Sequence, residues 1–382
     1  MSHPVIAPPA TLALLGGGQL GRFFVHAAHE LGYKVIVLDP DTDAPAGKIA
    51  DGHIVASYDD QAALAQLSQQ CAAATTEFEN VPAAVLEQLA QTMPVSPSAE
   101  AVSIAQDRIR EKAFLRDNDF NTAPFIPVEN ECDLDGANDE LFPAILKTAR
   151  FGYDGKGQAR VSSIEEAKAA YRNFNIPCVL ERMLPLDLEV SVVLARSTDG
   201  QCSCFPLAEN DHSNGILDTT VVPARTTSVL QQQAEQMASA LATRLGYVGV
   251  LTVEFFISNG QLLINEIAPR PHNSGHYTID GCVTSQYEQQ LRALCGLPLG
   301  AATLHSHSVM VNLLGDLWFQ QGHESYEPSW LRLNQIPNLK LHLYGKASAR
   351  PGRKMGHFTV IDQDTDTAVT TAMNARKVIG IQ

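Results

Sequence analysis

Two acidic residues on neighbouring predicted strands are the first candidates for chemistry in this sequence. Glu254 and Glu266 lie in two short apolar runs that are separated by Asn259-Gly260. An Asn-Gly pair between such runs is a strong signal for a tight β-hairpin, so the two carboxylates should lie close together. Close carboxylates repel each other unless a cation lies between them, and oxygen ligands of this kind suit Mg²⁺. The alternative is that both side chains lie on a solvated outer face.

The residues that follow Glu266 carry further polar groups at the end of the same predicted strand. A strand gains no stability from such an ending, so the segment predicts a functional site. Arg270 suits bidentate contact with a carboxylate or phosphate, and His272 can orient a reacting group or accept a proton from it. The alternative for His272 is a structural role as the cap of the turn between Pro271 and Gly275.

A glycine-rich turn near the start of the chain predicts an anion-binding element. Residues 11–15 have the pattern of a strand, residues 16–21 follow G-x-G-x-x-G, and residues 22–31 have the pattern of a helix. A second strand, 35–38, ends at Asp39. Glycines allow a backbone to approach an anion, and the free N–H groups of a helix N-terminus favour a phosphate. Taken alone, the motif suggests a nucleotide-dependent oxidoreductase, although any ribonucleotide would fit its chemistry.

A second glycine-rich segment lies near the middle of the chain. The predicted strand 143–148 carries Lys147 near its end, and the segment 152–158 follows with three glycines and a lysine. The segment does not match the G-x-x-x-x-G-K-[ST] loop, but its N–H donors fit phosphate binding. The alternative is a surface hairpin. Upstream, a Pro/Ser cluster at 94–98 indicates a domain boundary before a helix predicted over 99–117.

Composition limits the classes of protein to which this chain can belong. Its 382 residues are 45% hydrophobic, which is enough for two or three packed cores. A net charge of -15 argues against a nucleic-acid-binding surface, because phosphate backbones require clustered Lys and Arg. Neither a basic leader nor an apolar run of membrane-spanning length is present in the sequence, so we expect a soluble, cytoplasmic protein. The seven cysteines lack C-x-x-C spacing and are expected to be reduced thiols.

The order of these segments resembles that of the ATP-grasp ligases, and within that superfamily the chain closely resembles the 5-(carboxyamino)imidazole ribonucleotide synthase family. The resemblance covers residues 11–360 or so. One departure is Ala149, where the family pattern leads us to expect a basic residue. The segments that carry the resemblance are 16–22, 76–80, 106–112, 152–158, 209–212, 269–276 and 344–357.

The resemblance implies both a fold and a reaction. The fold is mixed α/β and α+β, with a Rossmann-like pre-ATP-grasp domain at 1–107, an ATP-grasp domain of two subdomains at 108–300, and a small mostly β domain at 301–382. The reaction is the ATP- and bicarbonate-dependent carboxylation of 5-aminoimidazole ribonucleotide through carboxyphosphate, in purine (IMP) biosynthesis, with release of ADP and phosphate. One or two Mg²⁺ ions, a homodimer, and the absence of nucleic-acid and membrane partners are also implied.

The resemblance further assigns roles to individual residues. Glu254 and Glu266 would hold the metal. The residues implied in catalysis are Tyr153, Asp154, Arg270, His272 and Lys346. Those implied in binding the nucleotide substrate are Gln19, Leu20, Glu77, Lys346, Arg353 and Lys354. Those implied in binding ATP are Arg108, Lys147, Gly152, Gly155, Lys156, Gly157, Gln158, Glu181, Arg182, Met183, Leu184, Glu189, His212, Asn265 and Glu266.

Three other functions remain open from the sequence. A formate-dependent glycinamide ribonucleotide transformylase also activates a one-carbon acid as a mixed phosphate, and formate-stimulated ATP turnover would identify it. An oxidoreductase built on the turn 16–21 would bind NADH. A non-catalytic ligand-binding module, with Ala149 marking a decayed site, would have no ATPase activity.

Overall fold

The computed structural model describes residues 5–152, 155–319 and 326–381. Two residues with predicted catalytic roles, Tyr153 and Asp154, lie outside the described residues. All seven cysteines are free thiols, as the sequence predicts. Within the described ranges, every helix is too short or too polar to cross a membrane.

The N-terminal region is a five-stranded parallel sheet with strand order β3-β2-β1-β4-β5. Both faces of the sheet are covered, because Leu12 and Leu14 of β1 join one buried cluster while Ala13 and Leu15 join another. Apolar residues in unbroken succession are typical of such doubly covered strands. The elements are β1 Thr11–Leu15, α1 Gln19–Glu30, β2 Lys34–Leu38, β3 Gly52–Ile54, α2 Gln61–Gln70, β4 Ala73–Thr76, α3 Ala83–Ala90, β5 Val95–Ser96 and α4 Ala99–Ala105.

The helical stretch predicted over 99–117 is confirmed, and it consists of two helices, α4 and α5 (Arg108–Asp117). Asp107 lies between them in an extended conformation, and its carboxylate accepts the N–H groups of Ile109 and Arg110. Such an N-cap starts a new helix, because it satisfies backbone donors that otherwise have no intrahelical partner. The break places Arg108 in the first turn of α5.

A four-stranded antiparallel sheet of order β6-β9-β7-β8 follows. One face of this sheet packs against α6. The strand predicted over 143–148 is confirmed as β7. The elements are β6 Phe125–Val128, β7 Ala144–Thr148, β8 Gln158–Val161, α6 Ile164–Phe174 and β9 Cys178–Arg182, with short 3₁₀ turns at Glu131–Gly136 and Asp139–Leu141.

The remaining strands form a nine-stranded sheet of order β15-β14-β10-β12-β13-β16-β18-β17, with β11 paired to β10. Because β13 pairs with β16, this one sheet contains strands from both sides of residue 300, where the sequence predicts a domain boundary. The strands are β10 Leu188–Arg196, β11 Cys202–Cys204, β12 Ala208–Ser213, β13 Ile216–Val222, β14 Gly249–Ser258, β15 Gln261–Ala268, β16 His307–Leu314, β17 Leu339–Leu343 and β18 Lys354–Asp362. The helices are α7 Ser228–Arg244, α8 Thr278–Gly281, α9 Gln286–Leu294, α10 Trp330–Asn334 and α11 Thr365–Val378, with 3₁₀ turns at Asn273–Gly275 and Gly315–Phe319.

The hairpin predicted around Asn259-Gly260 is confirmed between β14 and β15. Both turn residues have positive φ, 50° and 70°, as the tightest hairpin turn requires. The antiparallel register then pairs Glu254 with Glu266. The predicted fold class, with its parallel α/β start, α+β middle and mostly β end, is also confirmed.

Candidate active site

Two adjoining cavities lie where the three regions of the chain meet. The larger has a volume of about 750 Å³ and is lined by Gln19 from α1, His272 from the segment after β15, and Lys346 and Lys354 from the C-terminal region. The smaller, of about 80 Å³, is lined by Arg108, Glu266 and again His272. The three regions therefore each supply part of the wall of the larger cavity.

The carboxylates of Glu254 and Glu266 face each other across the β14–β15 ladder. Burial and the nearby charge of Glu266 raise the pKa of Glu254. Burial would raise the pKa of Glu266 as well, but Arg108 outweighs it and lowers that pKa, with its Nη1 2.5 Å from Glu266 Oε2. The pair therefore carries opposed shifts, as expected of two acids competing for one region of positive charge.

The oxygen atoms of this pair and of the neighbouring Asn265 suit a divalent metal ion. Asn265 lies beside Glu266, and its buried Oδ1 has no hydrogen-bond partner among the described residues. An unsatisfied buried oxygen is costly, so its presence indicates a ligand that completes the site. Two carboxylates and an amide oxygen form the hard oxygen set that Mg²⁺ prefers.

A buried ionic cluster is formed by Lys147 of β7, Glu181 of β9 and Lys112 of α5. Lys147 Nζ is 2.9 Å from Glu181 Oε2, and Lys112 Nζ lies 3.5 Å from the same oxygen. Burial would raise the pKa of Glu181, but these two ammonium groups lower it. The second oxygen of Glu181 is buried and has no partner among the described residues. Beyond Glu181, Arg182 ends β9, and Met183 and Leu184 begin the connection to β10.

The glycine segment 152–158 connects β7 to β8 beside this cluster. Gly155 and Gly157 have φ values of 75° and 70°. A side chain at Gly157 would place its Cβ 2.5 Å from Thr148 Oγ1, so the position requires glycine on both conformational and steric grounds. Gly152 lines the smaller cavity and Lys156 lines the larger, while Gln158 begins β8.

Glu189 and His212 form a second polar pair on β10 and β12. His212 Nδ1 is 2.9 Å from Glu189 Oε2. Although burial opposes it, the neighbouring carboxylate of Glu189 raises the pKa of His212. The pair lies near Glu254 and Glu266, whose charges act on His212 in the same direction.

The prediction that the N-terminal glycine turn binds an external anion is wrong. The N–H of Gly17 donates to Asp39 at 2.7 Å, and the N–H groups of Gly18 and Gly21 donate to the two oxygens of Glu77 at 2.9 Å each. The protein's own carboxylates thus take the donors that a dinucleotide pyrophosphate would need. This occupancy disfavours the oxidoreductase alternative.

Arg270 and His272 both face the cleft, but each also has a partner within the protein. The guanidinium of Arg270 forms an ion pair with Glu79 and donates from Nη1 to the carbonyl of Pro271. His272 caps the following 3₁₀ turn through Nδ1, which accepts from the N–H of Ser274. The capping role considered from the sequence is therefore real, and it leaves His272 Nε2 directed at Glu254 Oε1, 3.3 Å away.

The C-terminal region supplies the basic groups of the larger cavity. Lys346 Nζ donates to Gln19 Oε1 at 2.8 Å and to the backbone carbonyl of Lys354 at 2.5 Å. Arg353 lines the same cavity and donates to Ser348. Leu20 and Glu77 complete the wall on the N-terminal side. All the predicted substrate-binding residues therefore line one cavity.

Sequence reasoning missed a cluster of aromatic and imidazole rings behind Lys346. The ring of His357 stacks on His276 and His342, with centroids 4.4 and 4.7 Å apart, and Phe23 of α1 packs against all three. Tyr344 is hydrogen-bonded to His357 Nδ1 at 2.9 Å. The cluster joins all three regions of the chain.

The same cluster does not fit a metal centre, although Asp280, His342 and His357 place possible ligand atoms within 4.8 Å of one another. Imidazole lone pairs lie in the plane of the ring, and the interplanar angle of His342 and His357 is only 23°. Stacked rings cannot direct these lone pairs at one point. His342 Nε2 is instead paired with Asp280 at 2.8 Å.

Three family models match consecutive parts of the chain. Residues 10–106 match a ribonucleotide synthetase preATP-grasp domain, residues 113–287 match an ATP-grasp domain, and residues 308–371 match a phosphoribosylaminoimidazole carboxylase C-terminal domain. The models together cover most of the chain, in the order that the sequence predicts.

Individual proteins agree with these matches. The chain is 42% identical over 379 residues to the N5-carboxyaminoimidazole ribonucleotide synthase of Bacillus subtilis, covering 98% of this chain and 97% of that protein. The Staphylococcus aureus N5-carboxyaminoimidazole synthetase complexed with ADP is 38% identical, with a TM-score of 0.90 and coverage of 98% and 99%. The Aspergillus clavatus synthase in complex with ADP and 5-aminoimidazole ribonucleotide is 31% identical, with a TM-score of 0.86 and coverage of 97% and 98%.

Proposed function

The chain belongs to the N5-carboxyaminoimidazole ribonucleotide synthase family, and from that membership we propose how its cleft carries out the family reaction. The reaction is the ATP-dependent carboxylation of 5-aminoimidazole ribonucleotide to N5-carboxyaminoimidazole ribonucleotide, in purine biosynthesis. The proposal concerns the source of the carboxyl group, the metal and the roles of the residues.

Bicarbonate is the proposed carboxyl source. It is a poor electrophile because its leaving group would be hydroxide, so one of its oxygens first attacks the γ-phosphorus of ATP. This attack breaks the bond to ADP and forms carboxyphosphate. The amine of the ribonucleotide then attacks the carboxyl carbon, phosphate leaves, and the amine loses a proton. Phosphoryl transfer of this kind depends chiefly on positioning and charge neutralisation.

The ATP side of the cleft is proposed to lie between β7–β9 and the β14–β15 hairpin. The ammonium of Lys147 and the glycine segment 152–158 suit the phosphates, and the unpartnered oxygen of Glu181 suits an adenine amino group. Arg182, Met183 and Leu184 would line the adenine, with Arg108, Glu189 and His212 around the rest of the nucleotide.

Glu254, Glu266 and Asn265 are the residues that would hold Mg²⁺, in one or two sites. When bound there, the metal would neutralise negative charge on the transferring phosphate. Before it binds, Arg108 supplies the positive charge next to Glu266.

The ribonucleotide is proposed to occupy the larger cavity. Its 5′-phosphate would lie against Arg353 and Lys354, and its amine would point toward His272 and Arg270. Because His272 Nδ1 accepts from the N–H of Ser274, the neutral ring carries its proton on Nε2, and this N–H is left to orient the reacting groups as a hydrogen-bond donor. The roles of Tyr153 and Asp154 near the amine are proposed from the family resemblance alone.

The observation that carries the proposal is that the smaller cavity, lined by Glu266, adjoins the basic larger cavity, with Arg270 and His272 in the walls of both. Carboxyphosphate formed at the smaller cavity would therefore lie next to the ribonucleotide in the larger cavity. The test is ADP release measured with 5-aminoimidazole ribonucleotide and bicarbonate, each omitted in turn. Formate stimulation in place of bicarbonate would favour the transformylase alternative, and the absence of any ATPase activity would favour a binding module.

Three further parts of the proposal come from the sequence and the family resemblance. They are the domain division at 1–107, 108–300 and 301–382, a homodimeric assembly, and a cytoplasmic location. Sedimentation of the purified protein would test the second.

A further inference from the structure

A β-bulge lies at the centre of the acidic pair. The register of the β14–β15 ladder pairs Glu254 with Glu266 but Phe255 with Ile264, so Asn265 is an extra residue on β15. A bulge of this kind bends the strand and re-aims side chains.

The burial pattern shows what the bulge does to β15. Leu262, Ile264 and Ile267 all point into one buried core cluster. In a strand that alternates strictly, one of the two residues between Ile264 and Ile267 would point into the core. Instead, both Asn265 and Glu266 lie outside this core. The bulge therefore keeps two successive polar side chains, Asn265 and Glu266, out of this core.

Two consecutive buried residues of α5 hold the backbone of the bulge. Lys112 Nζ donates to the carbonyl of Asn265 at 2.8 Å, and the N–H of Ile267 donates to Glu111 Oε1 at 2.6 Å. These two bonds lie on either side of Glu266. They use backbone groups on the outer edge of β15, the edge strand of its sheet.

The contacts of Lys112 extend in both directions from the bulge. Its ammonium also donates to Thr122 Oγ1 at 2.9 Å, and that hydroxyl donates to the carbonyl of Ile264 at 2.9 Å. On the other side it lies 3.5 Å from Glu181 of β9. Side chains of Glu111 and Lys112 are 2% and 0% exposed, a degree of burial that charged residues reach almost only when they are paired.

We propose that Glu111 and Lys112 are positioning residues that fix the β15 bulge, so that Asn265 and Glu266 stand side by side in the cleft. Through Glu181, Lys112 also ties the adenine wall to the acidic pair. The inference deepens the proposed function and rests on the metal role given there to Glu266. What it adds is that the hydrogen-bond acceptor of Glu111, rather than its charge, is required.

The test compares Glu111→Gln with Glu111→Leu. The amide oxygen of Gln can still accept from the N–H of Ile267, whereas Leu cannot. Glu111 also feels the charges of Arg108 and Glu266, so a purely electrostatic role is the competing explanation. Arg110→Leu, at an exposed position on the same helix, is the control.

The main measurement is ADP affinity by calorimetry, with Mg²⁺ and again in EDTA. The ADP affinity with Mg²⁺ divided by the affinity in EDTA measures how well the acidic pair binds the metal. A general loss of stability would not change this ratio. We expect Glu111→Leu and Lys112→Met to reduce this ratio roughly tenfold, the effect of one lost buried hydrogen bond. Glu111→Gln and Arg110→Leu should remain within about twofold of wild type.

Hydrogen exchange of the peptide 261–268 in EDTA provides a second, metal-free measurement. Exchange should accelerate in Glu111→Leu and stay unchanged in Glu111→Gln. The proposal is overturned if Glu111→Leu keeps the wild-type affinity ratio, or if Glu111→Gln loses as much as Glu111→Leu. Failure of the underlying metal assignment looks different, because Glu266→Gln would then keep the full effect of Mg²⁺ while the exchange results stand.

Discussion

The stacked imidazoles of His276 and His357 make the C-terminal region sensitive to acid. Burial is the largest cause that holds the pKa of each well below the ordinary value of 6.5. Neighbouring imidazoles act in the same direction, as do Lys346 and Lys354 on His276. The phenol oxygens of Tyr287 and Tyr344 face their Nδ1 atoms. The nearest carboxylate of the cluster, Asp280, is paired with His342.

The direction of the effect follows from linkage. Both groups are bases with a lower pKa in the folded chain, so the unfolded chain binds more protons as pH falls below 6.5. The stability contributed by these neutral rings is fully present above pH 6.5 and is lost as pH falls toward the folded pKa values. For an imidazole that stays neutral in the folded chain, the loss between pH 6.5 and pH 5 is at most roughly 2 kcal/mol.

The perturbation is His357→Phe, which keeps a ring in the stack and removes one protonation site. The phenol of Tyr344 loses its partner, at a cost of about 1–2 kcal/mol at neutral pH. The loss of stability between pH 6.5 and pH 5 should nevertheless be smaller than in wild type, by at most roughly 2 kcal/mol. Other groups that titrate in this range are common to both proteins and cancel in the comparison.

The assay is urea unfolding followed by tryptophan fluorescence. Both tryptophans of the chain, Trp318 and Trp330, lie in the C-terminal region with ring centroids 5.4 Å apart, so the signal reports on that region. His305→Gln, at an exposed position, serves as the matched control and should follow the wild-type curve. Parallel pH profiles for wild type and His357→Phe would refute the reasoning.

Three further predictions concern the cleft. Glu266→Gln keeps the shape of the side chain but removes its charge, so ATP turnover should fall on the order of a hundredfold or more, and a near wild-type rate at ordinary Mg²⁺ would contradict the metal assignment. Gly157→Val forces a side chain against buried Thr148 at a φ of 70°, so the KM for ATP should rise and the melting temperature should also fall; an unchanged ATP dependence would favour the alternative that the segment is a surface hairpin. Lys354→Ala should raise the KM for 5-aminoimidazole ribonucleotide roughly tenfold to 150-fold with ATP affinity intact, and weakened ATP binding would exclude its role at the second substrate.

Features set by short-range chemistry were predictable from the sequence. The Asn259-Gly260 turn sets the hairpin register as far as Phe255 and Ile264, and on that register alone Glu254 would pair with Asn265; the bulge at Asn265 shifts the pairing to Glu266. The break between α4 and α5 could also have been found, because Asp107 is a good N-cap residue within the apparent helix 99–117.

Features set by distant partners were not predictable in this way. The glycine turn near the N-terminus has the sequence of an anion-binding loop, and only the fold brings Glu77 onto the N–H groups of Gly18 and Gly21. Lys112 and Glu111 likewise resemble the exposed charges of an ordinary helix. Their buried partners on β15 are more than 150 residues away, and hydropathy patterns carry no information about such pairs.

The two halves of the cleft are held by different buried clusters. On the ATP side, Lys112 joins β9 to the bulge of β15. On the ribonucleotide side, the ring of His357 stacks on that of His276. The ammonium of Lys346 donates a hydrogen bond to Gln19 on the same side. Since these clusters share no side chain, damage to one should first raise the KM of its own substrate. Among the residues that the structure describes, the side chains common to both cavities are Glu79, Asn80, Arg270 and His272, where the activated carboxylate is proposed to meet the amine. Defects there should therefore lower turnover with both substrates still bound.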